Sequence, residues 1–160
     1  MYNLVGTAMN SIPGIVRRIQ KAEKDYAEGD YENALIQALI AVAATSAARY
    51  PNLGDRVRFE KLLAKDFGPN LGSNVAIKGG FIKVSYKGQL HTVEHIFYKF
   101  LRCELLHEAD VPPDIEFVDP ATGILFAPRG STLVMGYHLI ESLIRVVKKA
   151  PENACFFVGA

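Results

Sequence analysis

Apolar residues recur at helical spacing through most of this chain, and the exceptions are short. Leu35, Leu39, Val42 and Ala43 share one stripe of "YENALIQALIAVAATSAARY", whose many alanines allow a neighbouring helix to approach closely. Asp30 precedes that stretch as an N-cap, and Pro51 ends it. An earlier helix is predicted from a cap at Ser11, with Pro13 in the first turn, to Gly29; its "VRRIQKAEK" face is basic and reads as solvated. A third helix opens at Asp55 and carries Val57, Phe59, Leu62, Leu63 and Phe67 to a stop at Gly68 and Pro69.

The period then changes. In "NLGSNVAIKGGFIKVSYKGQLHTV" the apolar Ile82, Val84 and Tyr86 alternate with polar residues, which predicts a small hairpin turning near Lys87 and Gly88. Thr92 caps a fourth helix, with Val93, Ile96, Phe97, Phe100 and Leu101 on one stripe running toward Leu105. Pro112 and Pro113 prevent its continuation, and "IEFVDPATGILFAP" reads as a second hairpin around Asp119, Pro120 and Gly123. Ser131 is expected to cap a final helix through Leu133, Tyr137, Ile140, Leu143, Ile144 and Val147, with Lys148 and Lys149 suited to its C-terminal end. The expected fold class is therefore mainly all-α, an antiparallel bundle of about five helices with two small β-hairpin insertions.

Composition narrows the function classes. With 160 residues, 49% of them hydrophobic, the chain suits a single domain over 1–160, with short extensions at 1–10 and 151–160. A formal charge of +1 excludes a protein that coats DNA and leaves room for a local basic patch, for which Arg17, Arg18, Lys21 and Lys24 are the candidates. Cys103 and Cys155 do not make a disulfide framework; Cys103 reads as a small core residue in a reducing compartment. No run of apolar residues approaches the ~18 that a membrane helix needs, so a cytoplasmic protein with no membrane partner is expected.

Candidate chemistry concentrates in "RCELLHEA", residues 102–109. Arg102 and His107 lie about 140° apart around a regular helix, so one helix does not aim both at one point. A second copy related by a two-fold axis would let each chain contribute to a shared cleft, which points to a homodimer. An imidazole that moves a proton near pH 7 and a guanidinium that holds phosphate suit cleavage of RNA without metal, the 2′-hydroxyl being the nucleophile. Glu104 precedes His107 by one turn and could orient the imidazole. The competing reading is an ordinary surface ion-pair cluster.

Other groups suggest less. Cys103 and His107 lack the further ligands that zinc requires, no GxxxxGK[ST] loop is present, and no metal or cofactor is expected. His95 lies near the face of Arg102, and His138, Glu141 and Arg145 read as a solvated ion-pair row on the last helix.

"RCELLHEA" resembles the signature of the HEPN superfamily, an arginine followed after four to six residues by a histidine late in a helical bundle. "YENALIQALIAVAATSAARYP" and "RVRFEKLLAKDF" are similar to the early helices of bacterial HEPN domains, so the resemblance spans roughly residues 20–150. It implies a single HEPN-like helical domain and a homodimer with facing motifs. It also implies metal-independent RNA cleavage giving 2′,3′-cyclic phosphate ends, in toxin–antitoxin or phage-defence settings with an antitoxin or companion protein. Carried over, Arg102 and His107 are the catalytic pair, with Glu104 beside them. Many HEPN domains are catalytically silent, so the alternative is a module that binds RNA or a protein.

Overall fold

A hairpin of two helices opens the fold, α1 (Gly14–Ala27) and α2 (Tyr31–Arg49), in a computed structural model that describes residues 12–71 and 82–159. Ser11 and the glycine pair of "IKGG" fall outside the described residues. Gly29, at φ +80°, reverses the chain between the helices, and the Asp30 carboxylate accepts the Asn33 N–H at 3.2 Å as the sequence predicts. α2 is packed by α1, α3 (Asp55–Asp66) and α6 (Leu139–Lys149). Its alanines serve that position: Ala34, Ala38 and Ala41 are fully buried where neighbouring helices come close.

Strands β1 (Lys83–Tyr86) and β2 (Gln89–Thr92) form the first predicted hairpin. Its two-residue turn places Lys87 at φ 51° and Gly88 at φ 72°, the pair of positive angles that matches strand twist. The Thr92 hydroxyl then accepts the His95 N–H at 3.3 Å and starts the fourth helix. That helix is not uniform. A short α4 (Val93–His95) passes into a π-helix, Ile96–Cys103, and then into α5 (Glu104–Glu108), which ends at Ala109 in the left-handed region. Ile96, Phe97, Leu101 and Leu105 face the core, so the predicted stripe holds although the winding differs.

The expectation of an all-α bundle fails beyond residue 112. Three strands follow, β3 (Ile115–Val118), β4 (Phe126–Arg129) and β5 (Thr132–Gly136), in the order β3-β5-β4. β3 and β4 do not pair as the predicted hairpin; β5 lies between them, parallel to β3 and antiparallel to β4. Ser131, expected to cap a helix, sits instead in the turn that joins β4 to β5. Leu133, Val134 and Met135 are buried in the central strand, and α6 begins only at Leu139. The physical reason is that a strand covered on both faces loses its period of two. Its unbroken apolar run then merges with the helical stripe that follows. The described fold is mixed, helix-dominated, with a two-stranded and a three-stranded sheet.

Residues after α6 are tied into the helical layer. Buried Asn153 donates to Thr45 Oγ1 and to the Val147 carbonyl, each at 2.9 Å. Arg49 of α2 meets Glu152 at 2.8 Å and Asp66 of α3 at 2.7 Å.

Candidate functional site

Arg102 lies in the π-helical segment and turns toward the start of α3. Its Nη1 donates to Asp55 Oδ2 at 2.7 Å and its Nη2 to Asp55 Oδ1 at 3.4 Å. The guanidinium carbon stands 5.3 Å from the centre of the Tyr98 ring and 5.6 Å from that of Phe59, within cation–π range of both. Asp55 also accepts from the Tyr98 hydroxyl at 3.2 Å and from Arg58 at 3.4 Å. Burial, and then the hydrogen bond donated to Asp55, push the Tyr98 hydroxyl above its ordinary pKa. The Arg102 side chain is only 17% exposed. The ion pair has aromatic walls on the arginine side, while the Asp55 side chain is 40% exposed.

His107 has a different environment. It is exposed on the last turn of α5, and among the described residues it makes no hydrogen bond to Arg102 or Glu104. Glu104 is half-buried; its charge is a minor contributor to the raised pKa of Tyr86, after burial and the hydrogen bond to Asp114. Within one chain, among the described residues, no hydrogen bond or ion pair links the three predicted site residues. Cys103, read as a core residue, is half-buried. Among the described residues no group of three or more His, Cys, Asp or Glu side chains is placed to hold a metal ion. No described helix is long and apolar enough to cross a membrane.

The structure does assemble a cluster that sequence spacing undervalued. His95 Nδ1 lies 2.8 Å from Glu60 Oε1 and 3.3 Å from Arg56 Nη2, while Arg56 Nε donates to the same Glu60 oxygen at 3.1 Å. His91 stacks on His95 with ring centres 5.5 Å apart and planes 19° from parallel, and Phe100 meets His91 edge-on at 5.1 Å. The signal was available in part. His91 and His95 flank Thr92, which caps the helix, so the strand end and the first helical turn were bound to carry them to one corner. Glu60 and Arg56 come from α3, a distant pairing that local pattern does not encode.

The expected ion-pair row on α6 is also absent. Arg145 donates to the Asn70 carbonyl at 2.9 Å and to Ser142 Oγ at 3.1 Å. His138 stands at the head of α6 with a buried Nδ1 that has no partner among the described residues, and burial lowers its pKa.

No curated protein and no solved structure matches this chain. A family model described as Rv1289 does match, over residues 14–156, from α1 to beyond Asn153, and the chain belongs to the Rv1289 family.

Proposed function

We propose that this chain is an RNA-binding module in which Arg102 has a structural role and the Arg102–His107 pair does not cleave. The observation that carries this reading is the ion pair of Arg102 with Asp55, 2.7 Å long and walled by Phe59 and Tyr98. A guanidinium that holds a scissile phosphate must offer free N–H groups to it. Here one N–H of Nη1 and one of Nη2 are given to a carboxylate, and the side chain is only 17% exposed to any ligand from solvent. RNA is the favoured ligand because "RCELLHEA" resembles the HEPN motif and because the surface carries aromatic rings beside cations, the combination that single strands use. Such a module would act in the cytoplasm.

One observation favours the ribonuclease reading instead: His107 is exposed and makes no hydrogen bond among the described residues. Half-exposed Leu106 borders an apolar crevice with Ile36, Ile40 and Arg102. A homodimer formed there would bring two copies of the motif together, as a toxin or phage-defence nuclease with a companion protein would need. The test incubates the full chain with labelled RNA in EDTA and follows binding by fluorescence anisotropy and products on a denaturing gel. Binding with intact RNA is the expected result. Accumulation of 2′,3′-cyclic phosphate ends that disappears in His107→Ala would overturn it.

A further inference from the structure

The β1–β2 hairpin and the helix after it gather four rings in one group. Buried Tyr86 meets Phe100 edge-on at 4.9 Å, and Phe100, His91 and His95 are each half-buried above it. The nitrogens of His91 make no hydrogen bond among the described residues, so its ring is held by packing alone. Cations stand at both ends of the group. Arg56, 60% exposed, reaches His95, and Lys87 Nζ lies 5.4 Å from the Phe100 ring centre. Glu60 fixes His95 and Arg56 from one side. Arg56 commits Nε and Nη2 to these neighbours, which leaves Nη1 without a bond to them.

We infer that this corner, His91 and His95 with Phe100 behind them and Arg56 at the edge, is a stacking site for one nucleotide unit of single-stranded RNA. The base lies on the face of the His91 imidazole turned away from His95, which backs it, and its phosphate meets the guanidinium. Flat rings recognise a base through its π-face, and a fork of N–H donors recognises phosphate oxygens. Only one phosphate meets a cation in this arrangement. The salt dependence should then be shallow, with a log–log slope near −0.7 for each phosphate bound. This inference rests on the RNA-binding reading and adds the site and the recognised unit.

The experiment measures anisotropy of a labelled oligoadenylate with the full chain at fixed pH in EDTA. His91→Ala should weaken binding about tenfold, the usual effect of removing one stacking ring, and His91→Phe should restore most of it. Arg56→Gln, an exposed change, should weaken binding and flatten the salt slope by about 0.7. AMP should displace the oligonucleotide where ribose 5-phosphate does not. Displacement by both alike would overturn base stacking. If wild-type protein binds the probe and His91→Ala, His91→Phe and Arg56→Gln all bind it equally well, the site is wrong although the RNA reading survives. No binding by folded wild-type protein sinks both.

Discussion

At the scale of single residues, Arg102 and His138 show how burial decides what a charged group can do. Around the Arg102 guanidinium, Asp55 and two aromatic faces replace much of the water. Arg102→Ala should cost about 2 kcal/mol in urea unfolding, made of the ion pair and the cation–π contacts, and no more, because Asp55 is partly solvated and keeps its hydrogen bonds from Tyr98 and Arg58. A loss below about 0.5 kcal/mol would leave Arg102 free for another role. His138 is the opposite case. Burial lowers its pKa, and Arg145 opposes the charge further while Glu141 favours it. The unfolded chain therefore takes up a proton first, near the ordinary histidine value of 6.5. Stability from neutral His138 is fully present above that pH and is lost as pH falls toward the lowered folded value. Melting temperature should drop between pH 7.5 and 5.5, and by less in His138→Gln. Glu94, whose carboxyl burial pushes upward, responds with the opposite sign, so the difference between variant and wild type is the quantity to read.

At the scale of elements, the strongest periodicities were legible and the exceptions have identifiable physical causes. Helices α1, α2 and α3, the Lys87–Gly88 turn and the Thr92 cap all follow from local chemistry, since each depends on residues within one or two turns. β5 was hidden because covering both faces of a central strand erases alternation, and the π winding of Ile96–Cys103 leaves no mark on the apolar stripe. The candidate pair was legible as residues, and the partner of its arginine was not. Arg102 is claimed by Asp55, a partner 47 positions away. The junction of β5 with α6 gives a sharp test of the corrected architecture. A Cβ at Gly136 would stand 2.4 Å from the His138 ring and 2.4 Å from the Ile124 carbonyl oxygen, and backbone cannot move aside cheaply. Gly136→Ala should cost about 1–3 kcal/mol by overpacking. In a helix, as first expected, the same change would stabilise by about 1 kcal/mol. The sign of the shift in denaturation midpoint separates the two.

At the scale of the whole molecule, the fold is closed by polar links between segments far apart in sequence. Arg49, 11% exposed, holds Asp66 at the end of α3 and Glu152 beyond α6, so one guanidinium joins three segments. Asn153 joins the same layers by donating to Thr45 and to the Val147 carbonyl near the end of α6. The family match reaches residue 156 and so includes both residues. Segment 151–153, the start of the expected extension 151–160, is a clasp over α2. Arg49→Met should cost about 3 kcal/mol, because two carboxylates that are partly buried lose their partner while the alkyl packing is kept. Asn153→Ala should cost about 2 kcal/mol by leaving Thr45 Oγ1 and the Val147 carbonyl without their donor. The clasp also has an acid limit. Hydrogen bonds from Arg49 hold the Glu152 carboxyl below its ordinary value of 4.5. Its stabilisation is complete above that value and is lost as pH falls through the lowered folded one. Wild-type protein should lose stability steeply below about pH 4.5, and Arg49→Met, which has already lost the pair, should show a shallower slope there. Equal slopes in the two proteins would show that the clasp does not bear on the acid limb.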